Sequence, residues 1–539
     1  MLQENSKETP HKATVKLAHD EAVLARLGYK QEFRRVFTPI EVFGVGFSII
    51  GLLPSMASVI VYGIPNGGAV AMVWGWALCA FFLAIIGLAI AELGSAAPTS
   101  GGLYYWTFMF SSPKWRCLLS WIVGYSNTIG NIASVASVDW GCAVQIMAAA
   151  SIGSGMTFAA TVGQTFALYV ALLLCHAIIC SLNPAIIARL QIPFIVVNVL
   201  LCLVIIIGVP AATPREFKNN ASYAFGDFQN LTGWPDGYAF ILSFLAPLWA
   251  IGAFDSTVHI SEEATNADVA IPYAIILAAT SSGVLGWAIN VALTFCMGTD
   301  LEGILGSPIG QPLATILFNS FGQKGALAFW AWIIIVQFTM GMSMLTTCSR
   351  QIFAFARDGG LPLSRWLYNV NARTHAPVYC VWFAAGISLL LGLLAFAGAN
   401  AIGAIFSLVV TGQYLAYSIP ISARFLGGKE IKRGPFSLGK LSMPVAVTAV
   451  IWMAFIIVVF LFPANPNPGS ANMNYTIVVQ GGTLFLSIVY FYFPVYGGVH
   501  WFKGPVQTIE DVDLASQDTG SDVKGESDSE NVAEKSSTS

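Results

Sequence analysis

Apolar residues gather into twelve long runs separated by short polar stretches, near residues 39–61, 69–91, 118–146, 165–183, 191–211, 238–259, 271–297, 326–349, 377–397, 401–425, 442–462 and 475–495. A helix needs about 20 predominantly apolar residues to cross the hydrocarbon layer of a bilayer. The pattern therefore predicts an all-α polytopic membrane protein with 12 transmembrane helices. The third run is longer than a perpendicular crossing requires, which predicts a tilted or projecting helix. Only Gly398-Ala399-Asn400 separates the ninth run from the tenth, so a tight turn is expected there.

Two runs are interrupted at mid-length. In the first, Ser48-Ile49-Ile50-Gly51-Leu52-Leu53-Pro54-Ser55 sets Gly before Pro. Gly51 tolerates unusual dihedrals, and Pro54 suits the first turn of a restarted helix. In the sixth, Pro247-Leu248-Trp249-Ala250-Ile251-Gly252-Ala253-Phe254-Asp255-Ser256 combines Pro, Gly and a carboxylate. Irregular backbone is tolerated at membrane depth only where protein or a cavity surrounds it. Breaks at corresponding positions of two halves are the best sequence pointer to a transporter's binding site. The restarted half of the first run would aim free N–H groups at an anion. The broken sixth run would offer carbonyls to an ammonium group. A site that takes both suits an amino acid.

Composition agrees. Charged residues are about 10% of the 539, hydrophobic residues 56%, and the mean hydropathy is +0.70. Ordinary soluble proteins carry about 25% charge. This excludes a disordered chain, a disulfide-rich secreted domain and a soluble enzyme. The organisation read from it is a polar N-terminal tail (1–36), a membrane domain (37–500) and an acidic, Ser-rich C-terminal tail (501–539) expected to be disordered. The first 35 residues have no apolar core and hence no signal peptide.

Sorting Lys and Arg by side gives an orientation. With the N-terminus in the cytoplasm, 22 of 25 basic residues lie inside, and only Arg215, Lys218 and Lys324 lie outside. Both termini are then cytoplasmic. The sequons at Asn220, Asn230 and Asn474 all fall in outer loops. The net charge of −3 gives no reason to expect nucleic acid. Nine singly placed Cys read as buried thiols, and no metal or cofactor is expected.

The segment Ala91-Glu92-Leu93-Gly94-Ser95-Ala96-Ala97-Pro98-Thr99-Ser100-Gly101-Gly102-Leu103-Tyr104-Tyr105-Trp106 resembles the signature of the amino acid–polyamine–organocation superfamily. His259-Ile260-Ser261-Glu262-Glu263-Ala264 and the stretch from Ser349-Arg350 to Ala356-Arg357-Asp358-Gly359-Gly360-Leu361-Pro362 fit the same group. With Phe47-Ser48-Ile49-Ile50-Gly51-Leu52-Leu53-Pro54-Ser55, they are similar to the fungal amino acid/choline transporter branch, which includes γ-aminobutyrate and choline permeases. The resemblance spans residues 37–500. It implies five-plus-five inverted repeats with two extra helices, alternating access and, usually, proton-coupled uptake. It also implies substrate contacts at Ile50, Gly51 and Leu52, and from Trp249 through Ile251, Gly252 and Phe254 to Asp255. Trp249 stands where relatives place an aromatic lid. Leu52 and Leu53 replace the small polar residues of many bacterial relatives, which narrows or dries the carboxylate site and leaves substrate size open.

Asp255 is the candidate for proton coupling, because ionisable residues inside a membrane are functional by default. Glu262, Glu263, Arg350 and Arg357 are candidates for a cytoplasmic gate. Asp139 reads as part of an outer vestibule or of the binding site, and His176 as a core residue. Thr346-Thr347 would be the oxygens for sodium, a weaker alternative to protons. The expected partners are the bilayer, protons and a small substrate. That substrate is an amino acid or γ-aminobutyrate, with choline or another organic cation as the alternative. A non-transporting nutrient receptor of the same fold is a further alternative. A membrane enzyme is disfavoured by the absence of a nucleophile elbow or metal-spaced His cluster. The plasma membrane is the expected location. Lys7, Lys12, Lys16 and Lys30 would be accessible to ubiquitin machinery.

Overall fold

The computed structural model describes residues 10–508 apart from 183, 429–431, 464, 468 and 470–472, with backbone alone for 10–17. The acidic segment from Ser516 and the tail Lys7 lie outside the described residues. Among those described there is no β-strand, only the isolated bridges Phe37–Ala264 and Asn66–Asn230.

A short N-terminal helix, α1 (Pro10–Arg26), precedes the first apolar run. That run forms two helices, α2 (Pro39–Ile50) and α3 (Leu52–Gly63), split at Gly51. Pro39 occupies the first turn of α2, and the Glu41 carboxylate accepts from the Thr38 N–H at 2.7 Å. Next come α4 (Gly68–Ala96), the short α5 (Gly102–Phe110), α6 (Arg116–Gly153), α7 (Val162–Cys180) and α8 (Pro184–Ala212). The sixth run gives α9 (Asp236–Ala250) and, after a break, the one-turn α10 (Ser256–His259). The remainder is α11 (Ala267–Thr294), α12 (Pro312–Arg357), α13 (Val378–Ala397), α14 (Ala399–Leu426), α15 (Gly439–Val459) and α16 (Thr476–Tyr492).

Ten of these units are long and apolar enough to cross a membrane. The other two of the twelve runs give shorter helices: α9 stops at Ala250, and α16 has 17 residues. At 1.5 Å per residue the 38 residues of α6 extend about 57 Å, well beyond a hydrocarbon layer. Helix α12 is 46 residues long but is kinked at Gly322, where φ is 68°. The ninth and tenth runs are joined by the single residue Gly398, φ 126°.

Burial separates centre from rim. In the α2–α3 span 94% of the most apolar stretch is buried, against 28% for α8. Helix α8 turns Ile186, Val196, Leu200 and Ile207 outward, as a lipid-facing helix does. Helix α6 runs between α12 and α14, and α4 packs along α11. The broken span is enclosed: α2 lies on α11 and α8, while α3 lies on α9 and α12. Its irregular backbone therefore meets protein on every side.

Candidate functional site

Gly51 adopts φ 44°, ψ 57°, a left-handed conformation that costs a side-chain-bearing residue about 1–2 kcal/mol. Its N–H donates to Phe47 O at 3.0 Å, closing α2, and its carbonyl accepts from the Ser55 N–H at 2.9 Å, opening α3. The N–H groups of Leu52 and Leu53 lie in the first turn of α3, where no intrahelical acceptor exists and the dipole is positive. Pro54 has no N–H to orphan. A Cβ at Gly51 would come within 2.8 Å of Met340 Sδ, so Met340 of α12 sits directly over the break.

The second break runs from Ile251 to Asp255. Ala253 is left-handed, φ 61°, a strain of about 1–3 kcal/mol. The turn is held by the Ile251 N–H to Pro247 O at 3.0 Å and the Ser256 N–H to Ala253 O at 3.1 Å. Trp249 donates its indole N–H to Ser137 Oγ at 3.2 Å and packs on Phe406 at 4.9 Å between centroids. Ile50, Leu52, Ile251 and Phe254 are fully buried, and Phe254 lies against the Tyr417 ring. The two breaks are neighbours because α3 packs on α9 and α2 packs on α10.

Asp255 is fully buried. Its Oδ1 accepts from the Tyr417 hydroxyl of α14 at 2.6 Å. Its Oδ2 lies 3.6 Å from His259 Nε2 and has no hydrogen-bond partner among the described residues. His259 also touches the Ser100 carbonyl through Nδ1 at 2.9 Å and Asn127 Nδ2 through Nε2 at 3.2 Å. Sequence reading took Tyr417 only as a candidate cavity-lining aromatic, and did not single out His259, Asn127 or Ser100 as site residues. Only the spacing of Asp255 and His259, four apart and so on one helical face, could have signalled their pairing.

Immediately after α10 the four gate candidates form two buried ion pairs. Arg350 Nε meets Glu263 Oε1 at 2.7 Å, and the Arg357 guanidinium takes both oxygens of Glu262 at 3.0 and 3.1 Å. Glu262 also accepts from the Ser100 N–H at 3.1 Å and from Thr99 Oγ1 at 3.3 Å. Burial alone would raise the Glu262 carboxyl, but Arg357 and these donors outweigh it and hold the group below its ordinary value. The segment before α2 lies across the same surface. Gln31 donates to Glu262 O, the Phe37 N–H donates to Glu263 O, and the Tyr29 ring lies 3.9 Å from the Arg357 guanidinium. The C-terminal strip joins it: the Val506 N–H donates to Asp358 Oδ1, the Thr508 N–H to Gly28 O, and the Lys30 N–H to Thr508 Oγ1.

Other candidates are placed elsewhere. Asp139 lines no vestibule: it is fully buried, with Oδ1 2.9 Å from His176 Nδ1 on α7. The Phe338 ring of α12 packs on His176. Thr346 and Thr347 donate their hydroxyls to carbonyls of α12 itself, Met342 O and Met344 O. Seven of the nine Cys are buried, but Cys117 is half-buried and Cys175 exposed, because α7 turns that face outward.

Residues 37–483, most of the chain and both breaks, match the family described as amino acid permease. The chain belongs to that family. This permease is 38% identical to the GABA-specific permease of Saccharomyces cerevisiae, over 94% of its own length and 89% of the yeast protein. It is 37% identical to an uncharacterized amino-acid permease of Schizosaccharomyces pombe, over 91% and 89% of the two chains. It is 34% identical to amino-acid permease 2 of Neurospora crassa, over 90% and 88%. The permease is therefore a multi-pass integral membrane transporter and not an enzyme.

Proposed function

We propose that this permease is a secondary active transporter that takes up an amino acid or γ-aminobutyrate with protons by alternating access. The observation that carries the reading is Asp255, a carboxylate enclosed at one helix break and beside another whose first-turn N–H groups have no acceptor within their helix. The N–H groups of Leu52 and Leu53 bind the substrate carboxylate, and Trp249 covers it. The ammonium end meets carbonyls of the Ile251–Asp255 turn. The buried pairs Glu262–Arg357 and Glu263–Arg350 form the cytoplasmic gate, closed in this conformation.

The same reading counts α9 with α10 as one crossing and α16 as another, which gives twelve. The first five and the next five are related as inverted repeats, each opening on a broken helix. Both termini lie in the cytoplasm of a plasma-membrane protein, in keeping with the distribution of Lys and Arg. Lys30 is exposed beside the gate and is the described candidate for ubiquitin attachment.

The test is uptake of radiolabelled γ-aminobutyrate, α-amino acids and choline into cells, with the pH gradient intact or collapsed by a protonophore. Gradient-dependent accumulation of an amino acid or γ-aminobutyrate is expected. Accumulation of choline alone would replace the substrate class, and no accumulation of any of them would sink the transporter reading.

A further inference from the structure

His259 is held in one tautomer. Its Nδ1 faces the Ser100 carbonyl at 2.9 Å, and a carbonyl can only accept, so Nδ1 carries the hydrogen. In the neutral ring Nε2 then holds a lone pair. That lone pair faces two groups. Asn127 Nδ2 lies at 3.2 Å, and the orientation of this amide is set because its Oδ1 accepts from Asn131 Nδ2 at 2.8 Å. Asp255 Oδ2 lies at 3.6 Å, beyond hydrogen-bond range and otherwise unpartnered. The structure thus shows Nε2 accepting from Asn127 while Asp255 waits beside it.

One proton changes both contacts. On Nε2 it turns the acceptor into a donor, which Asn127 Nδ2 repels and Asp255 Oδ2 attracts. The buried carboxylate, whose one hydrogen-bond partner among the described residues is Tyr417, gains a charged partner, and a buried charge without one is costly. We propose that His259 receives the transported proton, with Asp255 as its counter-charge, and that loading switches Nε2 from Asn127 to Asp255. The proton is taken from water on the side of entry and returned to water on the other. The Nε2–H bond forms as an O–H bond of hydronium breaks on the side of entry, and release reverses this exchange on the other side. The proposal rests on the proton-coupled reading above and adds a residue and a tautomer to it.

The charged groups on the surrounding elements have partners of their own, Asp358 at the end of α12 among them, which accepts from Tyr29, Tyr104 and the Val506 N–H. Helix α14 contributes Tyr417, and α6 contributes the neutral Asn127, with Asp139 farther along facing His176. Helix α12 contributes Arg350 and Arg357, each taken by Glu263 or Glu262. Helix α2 carries Glu41, bound to Thr38, and α11 carries Asp268, 3.1 Å from His19.

The experiment is nitrogen-15 NMR of histidine-labelled full-length permease across pH. The chain has six His, so the His259 resonance is assigned by its loss in His259→Gln. The expected neutral form is the Nδ1–H tautomer. Asp255→Asn should lower its protonation midpoint by about one pH unit or more, a tenfold loss of proton affinity. Asn127→Ala should raise it. A neutral Nε2–H tautomer, or a midpoint unmoved by Asp255→Asn, overturns the proposal. In proteoliposomes His259→Gln should lose gradient-driven accumulation at least tenfold, and unchanged accumulation overturns it as well. If the unaltered permease shows no gradient-driven accumulation, the proton-coupled reading fails instead, while the NMR result still reports on the pair. If His259→Gln does not fold, replacing each of the other five His in turn assigns His259 as the resonance that none of them removes, and Asp255→Asn and Asn127→Ala then carry the test.

Discussion

Ser100 donates its backbone N–H to Glu262 at 3.1 Å, while its own carbonyl accepts from His259. One residue of the Thr99-Ser100-Gly101-Gly102 turn thus touches both the buried ion pair and the titratable pair. The close approach needs Gly102: its φ is +46°, and a Cβ there would stand 2.8 Å from Val258 Cγ1. The turn acts as a strut between α4 and the sixth-run break. Glycine is required where it bears on α10.

The ion pair is expected to be insensitive to pH in the working range. Glu262 titrates below its ordinary 4.5 in the folded protein, so its contribution is fully present above that value. It is lost as pH falls through the lower folded value. The melting-temperature gap between the unaltered permease and Glu262→Gln in detergent should therefore be constant from pH 7.5 down to about 4.5 and shrink below it. A gap that already closes between pH 7 and 6 would contradict this.

Arg350 is fully buried against Glu263, and removing one partner of a buried pair typically costs about 3–5 kcal/mol. Arg350→Ala should lower the melting temperature sharply. Arg350→Met with Glu263→Leu should recover most of the stability, because an apolar pair of similar volume carries no desolvation penalty. Transport by the double variant should stay impaired if the pair is the gate. Restored uptake in that variant would reduce the pair to a structural role.

Gly51→Ala meets two obstacles, the left-handed backbone and Met340 Sδ at 2.8 Å. Met340→Ala removes only the second. The single substitution should abolish uptake, and the added Met340→Ala should restore protein level more than activity, leaving about 1–2 kcal/mol of backbone strain. Thermal melts and uptake assays on the two variants separate the contributions.

Gly341 makes room for the Asp139–His176 contact: a Cβ there would lie 2.5 Å from both Asp139 Oδ1 and His176 Cε1. Gly341→Ala should destabilise by about 1–3 kcal/mol, the usual cost of overpacking. Asp139→Asn, nearly isosteric, should be milder. Comparable losses in a chemical-denaturation series would show that charge, not space, dominates at this contact.

The three sequons are expected to behave differently. Asn220 is exposed, whereas Asn230 gives its amide to Trp234 O and Asp236, and Asn474 gives its own to Phe460 O and Phe462 O. Gel mobility after glycosidase treatment should change with Asn220→Gln and not with Asn230→Gln or Asn474→Gln. No shift for any of them in a glycosylating host would argue against the assigned orientation.

Much of the architecture was written in the hydropathy pattern, since apolar length and Gly-Pro punctuation act locally. Gly51 and the Ile251–Asp255 turn are legible for that reason. Pairs joined across the fold are not. Asp139 and His176 belong to different runs, and no spacing rule links them. Tyr417 reaches Asp255 from the tenth run, and Asn127 reaches His259 from the third. Polar residues isolated in apolar runs were visible one at a time. Which of them converge depends on helix packing angles that a one-dimensional pattern does not contain.

The Lys30 N–H donates to Thr508 Oγ1 at 2.7 Å, which ties the segment before α2 to the C-terminal strip, next to Gln31 on Glu262 and Tyr29 on Arg357. A donor and an acceptor fluorophore at these two positions would form a ruler. If the ion pairs are the proposed gate, the short reading belongs to its closed state, and lengthening would time each opening in a single molecule, without any labelled substrate.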